Sequence, residues 1–218
     1  MSFSLVDFAA SCNVPEPEFF AQKCEMLRLF LEEANRSINL TRLTGKADFD
    51  LKHAADSLLI FHIFPELLTR RFRIADIGCG AGFPSLILAL AAPQLEITAI
   101  DSTGKKVNFV KQAAEHLGLT NLHTVHGRAV ELNCRSGFRN SFDIVTARAV
   151  APSPKIYSET RNFPAANGRY IFYKTPSQAA DEMPELAKCK NISWRVSDVF
   201  ELPSESGSRC FVIGTPGK

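Results

Sequence analysis

Long apolar runs are missing from this chain: no stretch approaches the roughly 20 residues that cross a bilayer, so no membrane span is expected. The opening MSFSLVDFAASC has neither the basic start nor the apolar core of a secretory signal, and a cytoplasmic protein is expected. Metal-binding patterns are absent too. The six cysteines (Cys12, Cys24, Cys79, Cys134, Cys189, Cys210) form no C-x-x-C pair and have no histidine at ligand spacing. They read as reduced thiols, with no metal site and no disulfide framework. Charge of one sign is scarce as well, since 25 Lys and Arg against 23 Asp and Glu leave a net charge of only +2. A nucleic-acid partner would have to be held by a local patch. No repeat, low-complexity segment or exposed apolar stripe stands out, so a monomer is the default.

What is present is apolar mass and one glycine-rich turn. With 45% hydrophobic residues and 17 Phe in 218, the chain can build one medium domain, or one domain plus a small cap. The stretch Arg73-Ile-Ala-Asp-Ile-Gly-Cys-Gly-Ala-Gly-Phe-Pro84 reads as a buried strand, a turn and a helix opening near Pro84. Its Gly78, Gly80 and Gly82 let the backbone approach a ligand that also meets the helix N-terminus. A dinucleotide fingerprint needs G-x-G-x-x-G, but Phe83 stands in the last glycine's place. The spacing D-x-G-x-G-x-G, led by Asp76, is similar to that of S-adenosylmethionine-dependent methyltransferases.

The chain before this stretch is helical in pattern. A short helix is expected over residues 3–12, and a second opens at Pro15-Glu-Pro17-Glu, with Phe19, Phe20, Cys24, Leu27, Phe30 and Leu31 at helical spacing. Residues 35–45 are polar and turn-rich. Asp48-Phe-Asp50 is expected to cap a third helix, with Leu51, Ala54, Ala55, Leu58 and Leu59 on its apolar face. After residue 73 the pattern alternates. Strands are expected at 73–77, 95–100, 121–126, 142–147, 168–173, 192–200 and 209–213, with helices at 84–92, 104–117, 153–162 and 177–188. The expected fold is α/β, a Rossmann-like, seven-stranded and mostly parallel sheet closing in an antiparallel hairpin. Residues 1–70 form its helical cap and 71–218 the main domain.

Ligands of open α/β sheets lie beyond the carboxyl ends of the strands. Asp101 follows the second strand, placed to receive ribose hydroxyls or to cap the next helix. After the third strand, the backbone at Ala129 and Val130 is placed to meet an adenine edge, with Glu131 facing solvent or Arg128. Arg148 leaves the fourth strand at the ligand edge. It would pair with a cofactor carboxylate, with RNA, or internally with Asp76, Asp101 or Glu131. Lys174 follows the fifth strand into the same region. Arg36, Asn39, Arg42, Lys46, Lys52 and His53, with Arg70, Arg71 and Arg73, would track phosphates if they cluster at that edge. Lys105, Lys106 and Lys111 would extend such a surface.

Taken together, Asn39-Leu-Thr41, Lys52-His53-x-x-Asp56-Ser57-Leu58, Asp76-Ile-Gly-x-Gly-Ala-Gly-Phe-Pro84, Asp101-Ser-x-x-Lys105-Lys106 and Ala147-Arg148-Ala149 closely resemble the RsmG (GidB) family. These are bacterial 16S ribosomal RNA guanine-N7 methyltransferases, and the likeness runs from about residue 20 to the end. It implies S-adenosyl-L-methionine as cofactor and 16S rRNA or the small ribosomal subunit as partner. Gly78, Phe83, Ala129, Val130 and Arg148 fall on the family's cofactor-binding positions, joining Asp76, Gly80, Gly82 and Asp101 of the motif reading. Arg42, Lys52, His53, Arg128 and Lys174 are the RNA-binding candidates. The chain departs from the family in three places: Cys79 replaces the usual Thr or Ser, Lys52 an Arg, and Thr175 a Gly.

Guanine N7 carries an in-plane lone pair and no hydrogen. It can attack a sulfonium methyl directly in an in-line displacement, so no general base is expected, and Arg148 is expected to position rather than to move protons. The chain has no N-P-P-Y motif for an exocyclic amine and no Pro-Cys nucleophile for carbon-5 chemistry. The alternatives are a methyltransferase for another RNA or small molecule, and a non-catalytic assembly factor that binds rRNA or S-adenosylmethionine.

Overall fold

In the computed structural model, which describes residues 3–217, helices come first and a sheet follows. α1 (Leu5–Ser11) starts where Ser4 Oγ accepts from the Asp7 amide. α2 (Pro17–Ile38) buries Phe20, Cys24, Leu27 and Leu31 of the expected stripe and partly buries Phe30, while Phe19 is corrected as a member, since it is exposed at the first turn. The helix runs further than the turn-rich composition after Asn35 suggests. The chain leaves it at Asn39, where φ is 53°, and Asn35 Oδ1 then accepts from the amides of Leu40 and Thr41.

The next helical stretch comprises α3 (Lys46–Asp48), a π-helical turn (Phe49–Ala55) and α4 (Asp56–Leu58). α5 (Ile60–Ile63) and a 3-10 turn (Pro65–Leu68) complete the front. The expected cap at Asp48 and Asp50 is corrected. Both lie inside the helical stretch, and each pairs with a lysine four residues away, Asp48 with Lys52 at 2.7 Å and Asp50 with Lys46 at 2.9 Å. The wide turn and the start of α4 carry a polar face inward: Asp50, His53 and Asp56 are all buried. Such π insertions recur at functional sites.

The sheet is made of β1 (Arg73–Ile77), β2 (Glu96–Asp101), β3 (Leu122–His126), β4 (Phe142–Arg148), β5 (Pro164–Lys174), β6 (Ile192–Val196), β7 (Phe200–Glu201) and β8 (Ser208–Pro216). Between them lie α6 (Ser85–Ala91), α7 (Gly104–Leu117), the four-residue α8 (Ala129–Leu132), α9 (Ser153–Glu159) and α10 (Pro176–Leu186). Strand order is β3-β2-β1-β4-β5-β8-β6. The first five strands pair in parallel, and β8 runs antiparallel between β5 and β6. This is the expected seven-strand path, with β7 an additional short strand on β8. The single strand expected over 192–200 is broken in two. Ser197 Oγ accepts the Phe211 amide at 2.9 Å, and that side-chain bond interrupts the ladder where β6 ends.

Alternate residues of each strand divide between two apolar layers. Ile74, Ile97, Ile144, Ile171 and Phe211 face one side, Ala75, Val145, Phe172 and Val212 the other. The first layer also contains Leu27, Leu31, Phe49 and Leu58, so the front helices share the sheet's core rather than building their own. The change at residue 70 is one of architecture, while the packing is continuous. Register places Ile77 beside both Ile100 and Ala147, so Gly78, Asp101 and Arg148 emerge along one edge.

Candidate functional site

The glycine turn is held from both sides. The amides of Gly78 and Cys79 donate to the Ile100 carbonyl at 2.8 and 3.0 Å. The Gly80 amide donates to Asp101 Oδ2 at 3.0 Å, and the Thr103 amide to Asp101 Oδ1 at 2.8 Å. Asp101 therefore braces the turn against the start of α7. The cap residue of α7 is Thr103, which corrects the reading of Asp101 as that cap. Each Asp101 oxygen retains a further lone pair for a ligand hydroxyl. Gly82 takes φ 89°, and a Cβ there would stand 2.4 Å from Leu86 Cδ1. Gly82→Ala should therefore shift the turn and weaken S-adenosylmethionine binding about tenfold or more, measured by calorimetry. Unchanged affinity would show that the turn is not part of the site.

Asp76 lies beneath the turn, 1% exposed, where its Oδ2 accepts from Ser85 Oγ and its Oδ1 has no partner among the described residues. It supports the start of α6 and does not line the cavity above. Burial holds its carboxyl up at about 7 against an ordinary 3.8, opposed by the Ser85 hydrogen bond and the Arg148 charge. Burial also pushes the Cys79 thiol far above its usual range, reinforced by the charges of Asp76 and Asp101, so it is no nucleophile.

Over the turn opens a cavity of about 350 Å³ bordered by Gly78, Gly80, Phe83, Asp101, Lys106 and Arg148, with Thr41 from the connection after α2 and His53 from the π-helical turn. Small-molecule sites run from about 300 to 1,000 Å³. A second cavity of about 440 Å³ shares His53, Arg148 and Ala149 with the first, and adds Lys52, Asp56, Lys174 and Arg209. A larger one of about 480 Å³ lies away from both, between the start of α2 and the ends of α6 and α7. Its charged lining is Glu16 and Lys23, and the Lys23 amine donates to the Leu117 carbonyl. Size does not mark the site here; convergent polar groups do.

Arg148 joins the two cavities. Its Nη1 donates to Asp56 Oδ2 at 2.9 Å and to the Lys52 carbonyl at 3.0 Å, and its Nη2 faces His53 Nδ1 at 3.3 Å. The partner is thus Asp56 on α4, and the expected internal partners Asp76, Asp101 and Glu131 are corrected. Asp56 is 3% exposed and also faces Arg209, whose Nε stands 2.8 Å from Oδ1. That second contact is one of charge, because Oδ1 accepts no aligned hydrogen bond. The Arg148 guanidinium lies 5.7 Å from the Phe83 ring centre. His53 stacks on the same ring, with centres 4.0 Å apart and planes 8° apart. Burial, then the Arg148 charge, holds His53 neutral down to about 3.

These two groups have opposite pH signatures. Between 3.8 and about 7 the folded protein keeps an Asp76 proton that the unfolded chain has lost, so stability falls as pH rises. Between about 3 and 6.5 the unfolded chain holds a His53 proton that the folded protein excludes, so stability rises with pH. Where the windows overlap they oppose each other. Asp76→Asn should make stability climb with pH more steeply than in wild type, by about 1.4 kcal/mol per pH unit. Urea unfolding on either side of pH 5 measures it, and parallel slopes would refute a protonated Asp76.

The remaining candidates separate. Ala129 is buried and Val130 half-exposed at the start of α8, outside the cavity lining. Their amides belong to a first helical turn, where intrahelical partners are lacking. The Gly127 amide ties that loop to the Asp101 carbonyl at 3.0 Å. Glu131 is exposed, and Arg42 and Arg128 are exposed without an ion pair among the described residues. Lys52 pairs with Asp48, and Lys174 is buried between Glu182 Oε1 at 2.8 Å and the Ala151 carbonyl at 3.1 Å. Lys174 borders the second cavity, as its place after the fifth strand suggests, with its charge paired to Glu182. Arg70, Arg71 and Arg73 are corrected as part of the edge cluster. β1 starts at Arg73, so they lie at its far end, where Arg73 pairs with Asp143 at 3.0 Å. Lys106 reaches the cavity, while Lys105 and Lys111 are exposed outside it. Single-residue reasoning missed Asp56 and Arg209. For Asp56 the available signal was its position three residues after His53 on a helical stretch, which turns both inward.

A family model described as rRNA small subunit methyltransferase G matches residues 21–206. A ribosomal RNA small subunit methyltransferase G of Lactobacillus delbrueckii subsp. bulgaricus is 35% identical over 214 residues, covering 94% of this chain and 87% of that protein. The protein of the same description from Streptococcus sanguinis is 38% identical over 195 residues, covering 88% and 81%. Among solved structures, a ribosomal protein L11 methylase from L. delbrueckii subsp. bulgaricus aligns with a TM-score of 0.56 at 13% identity, covering 77% of this chain and 79% of the other. A SAM-dependent methyltransferase from Aquifex aeolicus aligns at 0.51 with 18% identity, covering 71% and 87%. At these identities the solved structures establish the fold.

Proposed function

Because the chain belongs to the rRNA small subunit methyltransferase G family, an S-adenosylmethionine-dependent enzyme acting on 16S rRNA, we propose that Arg148 aligns its target at the junction of the two cavities, and that this target is guanine N7. The observation that carries this reading is the Arg148–His53–Phe83 cluster at the end of the glycine turn, in which Arg148 and His53 border both cavities and Phe83 the first. The residues present suit the cofactor. Gly78, Gly80 and Phe83 would hold its body, Asp101 its ribose hydroxyls, and the Ala129–Val130 backbone its adenine edge. When bound, it would supply a sulfonium methyl to the N7 lone pair, the N7–C bond forming as the C–S bond breaks, giving cationic 7-methylguanine, neutral S-adenosylhomocysteine and no proton.

The side chains match a reaction without proton transfer. His53 is a poor proton acceptor because burial and the Arg148 charge hold its pKa down at about 3, Asp76 lies beneath the cavity, and Asp101 braces the turn at the place proposed for ribose hydroxyls. Catalysis then rests on bringing N7 to within about 3–3.5 Å of the methyl. Arg148 suits this because the Asp56 carboxylate, which it shares with Arg209, lessens its repulsion of the cation that forms. The A-form major groove is too narrow to be read, and the substrate is an unpaired or splayed guanine. Exposed Arg42 and Arg128, with Lys52 at the second cavity, would meet phosphates. The enzyme is proposed to act as a cytoplasmic monomer on 16S rRNA or the small subunit.

The test is transfer from labelled S-adenosylmethionine to small-subunit particles lacking their native modifications, followed by digestion. Label in 7-methylguanosine at one site supports the reading. Label in a different nucleotide overturns the target, and cofactor binding without transfer indicates a non-catalytic assembly factor.

A further inference from the structure

We propose that His53 donates its Nε2–H to O6 of the target guanine, and so makes the enzyme select guanine over adenine. This rests on the reading above, and it names the group that chooses the base. A guanidinium can only donate hydrogen bonds. The ring nitrogen facing Arg148 at 3.3 Å, Nδ1, must therefore accept, and the proton of the neutral ring resides on Nε2. Among the described residues that nitrogen makes no aligned hydrogen bond; the Leu43 carbonyl is set against the ring without completing one, and the residue is 6% exposed. Leaving a buried donor unsatisfied is costly, and a ligand that relieves it gains accordingly.

The ring cannot easily turn to find another partner. Phe83 lies parallel against one face and Phe49 meets it edge-on, with centres 5.9 Å apart. The imidazole borders the cofactor cavity and the second, cation-lined cavity together. A base entering from the second cavity to reach a methyl in the first must pass this ring. On the edge that carries N7, guanine presents the O6 acceptor and adenine an N6 amino donor. One fixed N–H donor satisfies guanine and opposes adenine. Burial keeps the ring uncharged through the physiological range, so it gives a single proton to O6 and leaves the N7 lone pair free to react.

The experiment compares small subunits carrying guanine or 2-aminopurine at the methylated position; 2-aminopurine keeps N7 and lacks O6. Wild type should methylate 2-aminopurine about ten- to a hundredfold more slowly. His53→Phe, which keeps the stack on Phe83, should lose about the same factor on guanine and lose nothing further on 2-aminopurine. His53→Gln, which restores a donor, should recover to within about fivefold of wild type on guanine. Calorimetric binding of S-adenosylmethionine shows whether each variant is folded, and the wild-type comparison of the two bases needs no variant. Equal wild-type rates on the two bases, or losses from His53→Phe and 2-aminopurine that multiply, overturn the inference while leaving the N7 reaction standing. If wild type labels no guanine N7 at all, the function itself is overturned, and this inference with it.

Discussion

Arg148→Ala should fold and bind S-adenosylmethionine within about tenfold of wild type, yet transfer methyl about a hundredfold more slowly or worse. The guanidinium fixes three things together: the Asp56 carboxylate, the Lys52 carbonyl and His53 Nδ1. Without it the wall between the two cavities loses its polar brace, and an approaching base is no longer aligned. Misplacement by about 1 Å is enough to cost about a hundredfold. The fold should tolerate the change better than the chemistry does, because Arg209 still faces Asp56. Arg148→Lys should remain well below wild type, since an ammonium cannot reproduce a planar fork of donors. Single-turnover transfer to unmodified small subunits, with cofactor affinity measured in parallel, checks the result. A folded Arg148→Ala protein working at the wild-type rate would remove Arg148 from the mechanism.

The second large effect is on stability. Asp56 is the shared counter-charge of two guanidiniums, with its side chain 3% exposed. Asp56→Ala leaves both cations without this counter-charge, and breaking a buried pair this way costs about 3–5 kcal/mol. For a chain of this size that lowers the melting temperature by roughly 10 °C. Adding Arg209→Met to Asp56→Ala should return part of the loss, because one stranded charge is then gone; the two changes would be non-additive. A loss below about 1 kcal/mol for Asp56→Ala would mean that water, rather than this carboxylate, balances the arginines.

Much of the frame was legible because it is periodic or depends on glycine. β1 and α7 occupy the residues predicted for them, 73–77 and 104–117, since each is bounded by chemistry that sequence displays: an apolar run before Gly78, and Gly118 in the left-handed region after Leu117. The edge bearing Gly78, Asp101 and Arg148 followed from the parallel alternation. What was not legible depends on side chains meeting across distance. Ser197 ends β6 through a bond to Phe211, and nothing local to residues 192–200 announces it. Glu182 takes Lys174 out of solution from the next helix. Asp48 and Asp50 are typical cap residues, but their lysines four residues away made them helix-interior partners. Asp56 appeared only as one letter of a motif, and its role is set by two arginines 92 and 153 positions later in the chain.

The unbroken apolar layer from α2 through α6 to the sheet has a consequence for how this protein opens. A front segment that shares its core with the strands cannot swing as an independent lid without exposing Leu27, Leu31, Phe49 and Leu58 to water. Amide exchange in α2 and in β1 should then require the same cooperative event, instead of α2 escaping first. Cofactor and base have to be admitted by movements no larger than side chains and loops. The burden of rearrangement falls on the ribosomal RNA, whose guanine must come out to meet a surface already set.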